Sequence, residues 1–165
     1  MDKYPIQKII HLVDAPGAME ILLRWFVEEW EPWYGPSGDG DARRDLSICE
    51  NRDQLPICLV AFGENERVLG TASIRPNSVN DETSYGPWLV AMLVGKDYRG
   101  RGIGTSLVQA VEQEARRLKI PSIYTATEAI KGTLLNRGWL QVGSTGTLRG
   151  DVPTYCLNLA KDDSS

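Results

Sequence analysis

The chain has 165 residues, 42% of them apolar and 24% charged, with a formal net charge of −4 at pH 7. That composition belongs to a globular chain able to bury a full core as one domain over 1–165. No window approaches the apolar length a membrane-crossing helix needs, and the acidic balance argues against the basic footprint of nucleic-acid binding.

Alternation of Ile6, Ile9, Ile10 and Leu12 predicts a first strand over 4–13. It carries His11, the one histidine, which has no second ligand beside it, so no metal is expected. The opening MDKYPIQKII lacks the basic and apolar regions of a secretory signal, and a cytoplasmic location is expected. Asp14 and Pro16 suit a helix start, and Met19, Leu22, Leu23, Trp25 and Phe26 continue as an apolar helix to about Glu29. A Pro/Gly loop with Trp33 and Tyr34 follows, and aromatic loops of this kind often line pockets. A second helix is expected over 41–51, then strands over 55–62 and 68–74 joined by a polar hairpin turn. Further strands are expected over 88–94 and 122–127, a long helix between them, a short helix over 128–136, and final strands over 139–144 and 154–159. The last two flank a Ser/Thr/Gly turn containing Arg149. Cys49, Cys58 and Cys156 are scattered without metal spacing and are expected as buried free thiols of a reducing compartment. The order β-α-α-β-β-β-α-β-α-β-β indicates an α/β (α+β) chain, a mixed sheet with helices on its faces.

The stretch from Trp88 to Leu118 organises the rest. An apolar strand runs into Arg99-Gly100-Arg101-Gly102-Ile103-Gly104 and then an amphipathic helix with Ile103, Leu107, Val108, Val111, Ala115 and Leu118 on one face. The first N–H groups of a helix lack intrahelical partners, and the helix dipole adds partial positive charge there. Glycines let an anion approach those donors, and Arg99 and Arg101 add full charges. The implied ligand is a phosphate or pyrophosphate. A P-loop spacing does not occur, and Gly100-x-Gly102-x-Gly104 departs from the dinucleotide Gly-x-Gly-x-x-Gly.

The spacing that fits is Arg-x-x-Gly-x-Gly. Residues 93–107, LVGKDYRGRGIGTSL, resemble the acyl-CoA-binding motif of the GNAT N-acetyltransferase superfamily. Ile123-Tyr124-Thr125-Ala126-Thr127 resembles that family's next strand, and Leu134-Leu135-Asn136-Arg137-Gly138-Trp139 its helix ending in Gly-Phe/Trp. The resemblance covers about half the chain. It implies the GNAT fold, with a mixed central sheet of about seven strands and flanking helices. It implies that amides of Arg99, Gly100, Arg101, Gly102, Ile103, Gly104 and Thr105 hold the CoA pyrophosphate. By the same likeness Met92, Leu93 and Val94 bind pantetheine through backbone, with an N–H near Leu93 or Val94 as oxyanion donor, and Thr127 stands where relatives carry a pantetheine-touching asparagine.

Acetyl-CoA is therefore the implied co-substrate, with no metal, and the implied reaction is acetyl transfer to a primary amine in a ternary complex. The acceptor is a small amine, an aminoglycoside-like polyamine or a peptide N-terminus; nucleic acid and membrane are not expected partners, and a homodimer stays open. In the family the first two helices and their loop form the acceptor side, which makes Trp33 and Tyr34 expected pocket residues. The strand before the turn has no ionisable side chain, so Glu128 and then Glu29 are the candidate bases, with Asp81 and Glu82 the acids nearest the strand. Leu134 stands where many relatives have a tyrosine that protonates the leaving thiolate. That departure keeps a competing reading alive, a non-catalytic acyl-CoA-binding regulatory module of the same fold.

Overall fold

The computed structural model describes residues 4–77, 85–147 and 150–160. Asp81, Glu82, Arg149 and the tail from residue 161 lie outside the described residues. In chain order the elements are β1 (Lys8–His11), α1 (Met19–Glu29), α2 (Ala42–Ser47), β2 (Ile57–Phe62), β3 (Val68–Arg75), β4 (Trp88–Val94), α3 (Ile103–Arg117), β5 (Ser122–Ala126), α4 (Lys131–Asn136), β6 (Leu140–Thr147) and β7 (Gly150–Asn158). The strands form one seven-stranded sheet in the order β1-β2-β3-β4-β5-β7-β6. The sheet is mixed: β4 and β5 pair in parallel, while β1–β2, β5–β7 and β6–β7 are antiparallel. The expected order and the α/β class hold. The chain divides into two compact units, Met1–Ser73 with Ala91–Ala110, and Ile74–Val90 with Val111–Ser165.

In the first unit β2 is buried along its whole length. Period-two alternation sends Cys58, Val60 and Phe62 into one apolar cluster with Leu22 and Phe26 of α1 and Leu46 and Cys49 from α2 onward. The first strand is shorter than alternation predicts. Leu12 is fully buried, and Leu12–Asp14 turns as a 3-10 segment to reach the core. Asp14 does not cap α1; its carboxylate accepts from Arg52 Nε at 2.9 and 3.0 Å. The second helix ends early because Asn51 Nδ2 donates to Ile48 C=O at 2.9 Å and to Pro56 C=O at 2.8 Å, leading the chain toward β2. Its start is as expected, with Asp41 Oδ1 accepting from the Arg44 N–H at 3.1 Å.

In the second unit β7 pairs with both β5 and β6. The expected Ser/Thr/Gly turn over 143–150 is instead mostly strand, with Gly143 opposite Thr154 and Thr147 opposite Gly150. Pairing satisfies the backbone of these turn-prone residues and overrides their weak β preference. The helix expected from 128 begins at Lys131, because Thr127 Oγ1 accepts from the Ala129 N–H at 3.1 Å and holds a turn there. Glu112, 3% exposed, accepts from Arg137 Nε at 2.8 Å, Arg137 Nη2 at 2.9 Å and Trp139 Nε1 at 3.0 Å. Trp139 and Trp88 are fully buried in this unit. The three cysteines are free thiols; Cys49 and Cys58 are buried, whereas Cys156 is half-buried. Among the described residues no helix is long and apolar enough to cross a membrane.

Candidate functional site

The glycine turn keeps the geometry that its composition implies. Gly100 has φ +75 and Gly102 φ +84, left-handed values that favour glycine. A Cβ built on either would meet nothing within 4 Å, so these glycines are set by conformation and leave the outer face of the turn open. The helical bond from Ser106 N–H to Gly102 C=O is 3.1 Å and opens the 15-residue α3. The amides of Ile103 and Gly104 precede it in the first turn of the helix, where main-chain N–H groups point outward along the axis. Ile103 is buried at 2% and pins this end of the helix into the core. An open turn, a first-turn set of donors and exposed cations at Arg99 and Arg101 fit a diphosphate.

The two arginines are held in different ways. Arg99 Nε donates to the Val94 carbonyl at 2.9 Å, and its Nη2 donates to Glu29 Oε2 at 3.3 Å. Arg99 therefore ties the turn back to the end of β4, with part of its charge answered by α1. Arg101 lies over the ring of Tyr4, 5.1 Å from its centroid.

Beside the turn lies a cleft of about 430 Å³, lined by α1, the approach to β3, and residues Leu93 to Arg99. Trp25 forms an aromatic wall; a Cβ at Gly95 would stand 2.8 Å from Trp25 Cη2 and from Tyr98 Cδ2, so only glycine admits both rings at the end of β4. The charged lining is balanced, with Glu28, Glu29, Glu66 and Asp97 against Arg24, Arg67, Lys96 and Arg99. The Tyr98 hydroxyl, by hydrogen bond and then by charge, holds the Arg67 guanidinium above its ordinary range.

Met92, Leu93, Val94 and residues 99–105 all belong to the first unit. Glu29 joins them there as a wall of the cleft. Trp33 and Tyr34 lie in the same unit and line neither this cleft nor the smaller cavity beside Tyr4. Trp33 packs on Gly40, and Tyr34 stacks on Phe26 at 6.0 Å and donates to Asp45 Oδ2 at 2.6 Å. Thr127 and Glu128 belong to the second unit, the hydroxyl of Thr127 engaged in its local turn and Glu128 exposed on a bend. Leu134 is fully buried.

Several residues of this region escape sequence reasoning. Ala91, inside the continuous strand β4, has φ +53, a strained value for a residue with a Cβ, just before Met92. Nothing about an alanine in an apolar run signals it. Trp25 reads as one more core aromatic of α1, and Arg67 and Tyr4 as ordinary polar-turn and strand residues.

Residues 19–131 match the profile of the acetyltransferase (GNAT) family. Over 77 residues the chain is 32% identical to the aminoglycoside 2'-N-acetyltransferase of Mycolicibacterium fortuitum, a match that takes in 46% of this chain and 38% of that protein. The chain thus spans little more than a third of this curated relative. A GNAT-family acetyltransferase from Staphylococcus aureus Mu50 superposes with a TM-score of 0.68 at 22% identity, covering 94% of this chain and 99% of the other. An aminoglycoside 6'-N-acetyltransferase complexed with coenzyme A superposes with a TM-score of 0.72 at 17% identity, covering 93% and 97%. At these identities the two superpositions speak to fold.

Proposed function

Because the chain belongs to the acetyltransferase (GNAT) family, we propose that it is an acetyl-CoA-dependent N-acetyltransferase that acylates a primary amine by direct attack in a ternary complex. The observation that carries this reading is the open turn at residues 99–105, with Gly100 and Gly102 left-handed at the start of α3. Acetyl-CoA, when bound, supplies the activated thioester; the remaining work falls to this chain. Amides of residues 99–105 bind the diphosphate, and the exposed cation of Arg101 adds attraction. The backbone of Met92, Leu93 and Val94 binds the pantetheine arm, and an N–H near Leu93 or Val94 meets the charge that develops on the carbonyl oxygen. The positive φ of Ala91 supports this role, since strained backbone next to those donors is a feature that tends to gather at functional sites.

The amine must attack as a neutral nucleophile, so a carboxylate accepts its proton. We rank Glu29 ahead of Glu128, because Glu29 lines the same cleft as Leu93 and Val94. Thr127 remains the proposed hydroxyl contact to pantetheine. A small-molecule amine is the proposed acceptor; an aminoglycoside acetyltransferase among the relatives supports that class over a peptide N-terminus. Trp33 and Tyr34 keep a proposed place on the acceptor side through the loop after α1.

One observation favours a second reading. Leu134, at the position where many GNAT enzymes have a tyrosine, is fully buried and supplies no proton. A non-catalytic acyl-CoA-binding module needs none. Calorimetry with acetyl-CoA, ATP and NAD, followed by thiol release over a panel of aminoglycosides, polyamines and peptides, separates the readings. Selective acetyl-CoA binding with amine-dependent release is expected. Binding with release no faster than hydrolysis selects the module, and absence of acetyl-CoA binding refutes both.

A further inference from the structure

Tyr4 precedes β1 in sequence, yet its ring gathers side chains from two distant places in the first unit. The Arg101 guanidinium lies over it at 5.1 Å and the Arg67 guanidinium at 5.3 Å from the centroid. Tyr98 meets the same ring edge-on at 4.8 Å and 73°. Three of these residues already border the regions described above: Arg101 sits on the glycine turn, and Arg67 and Tyr98 line the cleft. Tyr4 is the member that no sequence motif singles out.

An arginine side chain is rich in rotamers, and ordering it costs entropy when a ligand binds. The turn that carries Arg101 offers little restraint of its own, because its two left-handed glycines face open space. An aromatic face attracts a guanidinium through its quadrupole and holds it flat, at a modest strength where water has access. The Arg67 guanidinium is a second cation beside the same ring, and arginine keeps its charge throughout the working pH range.

We infer that Tyr4 is a positioning residue for the glycine turn: its ring holds the Arg101 guanidinium ordered beside the turn before a diphosphate arrives. The inference rests on the acetyl-CoA site proposed above and adds to it a residue from the N-terminal segment. Tyr4 touches no reacting atom; it acts on cofactor affinity through Arg101. Loss of the ring therefore weakens acetyl-CoA binding and leaves the chemical step alone.

The test uses the full chain and acetyl-CoA as the probe, with Tyr4→Leu, Tyr4→Phe, Arg101→Leu and the double variant Tyr4→Leu/Arg101→Leu. Tyr4→Leu is expected to raise Kd and KM for acetyl-CoA about three- to fivefold, with kcat and acceptor KM unchanged. Tyr4→Phe keeps the ring and matches the wild type. The double variant binds no more weakly than Arg101→Leu alone, since the ring acts only through that cation. Additive losses in the double variant, or a Tyr4→Phe as weak as Tyr4→Leu, overturn the inference. A readout that needs no leucine variant is the ring-current shift of the Arg101 side-chain protons, upfield in both wild type and Tyr4→Phe; random-coil shifts overturn it. Wild-type protein that fails to bind acetyl-CoA overturns the cofactor site and this inference together. Binding that is lost in Gly102→Glu while the Tyr4 and Arg101 effects are additive overturns this inference alone.

Discussion

Gly102→Ala separates a glycine needed for backbone conformation from one needed for a ligand. Gly102 has φ +84, and a Cβ there meets nothing within 4 Å. In the free protein the substitution therefore carries only the left-handed backbone penalty, about 1–2 kcal/mol. For a chain of this length each kcal/mol lowers Tm by about 2–4 °C, so a fall of about 2–8 °C is expected by calorimetry. Acetyl-CoA meets an added obstacle, because the methyl group stands beside the amides proposed to hold its diphosphate. Losing one charge-assisted hydrogen bond costs about 1.5–3 kcal/mol, or about 10- to 150-fold in Kd by titration calorimetry. Gly102→Glu, with more bulk and a negative charge, abolishes binding. Gly132→Ala in α4 is the control: its surroundings are also open but its φ is not left-handed, so it should gain about 0.5–1 kcal/mol of stability with Kd unchanged. A Gly102→Ala protein with lowered Tm but a Kd within twofold of wild type would show the turn to be purely structural and remove the basis of the cofactor site.

Glu112→Ala strands the Trp139 indole N–H in the core and breaks the pair with Arg137, whose side chain is 28% exposed and can still reach water. The expected loss is about 3 kcal/mol, at the low end for a broken buried pair, with Glu112→Gln costing about half as much; a urea-denaturation loss below about 1 kcal/mol for the alanine variant refutes the network's importance. Glu29→Gln lowers kcat about 100-fold or more if Glu29 accepts the amine proton, while Glu128→Gln leaves it unchanged; the reverse pattern in steady-state kinetics reassigns the base to Glu128. Burial pushes the Cys156 thiol up, and burial and then the nearby Cys156 raise Tyr124. Both groups are thus favoured neutral in the fold, so their stabilisation is complete below the ordinary thiol pKa of about 8.5 and is lost as pH climbs through the raised values. Urea midpoints should fall from pH 8.5 to 10.5, less steeply in Cys156→Ala, and equal slopes in the two proteins contradict this assignment.

Much of the fold can be read along the chain because each element depends on neighbours in sequence. The continuous apolar run that makes β2 a buried strand and the spacing that buries Ile103, Leu107 and Val111 in α3 are local patterns. Boundaries fail where a distant partner competes. Residues 143–147 look like a turn until β7 supplies their backbone hydrogen bonds, and Leu12 leaves its strand because the core draws it in. The candidate bases show the same division. Both acids are visible in the sequence, but only folding brings Glu29 within 3.3 Å of Arg99, 70 positions away.

What the sequence by itself determined is the glycine turn at the start of α3 and the family it indicates. Strand, glycines and helix start are contiguous, and their donors are main-chain amides whose direction follows from local conformation. Only the tertiary structure decided where the two arginines of that turn point, with Arg99 drawn back to Val94 and Glu29 and Arg101 laid on Tyr4. It also decided that Trp25, Arg67 and Tyr98 share one cleft with the end of β4. Side-chain direction depends on which surfaces long-range packing brings together, and Tyr4, Trp25, Arg67 and Arg101 carry no local signal of that meeting.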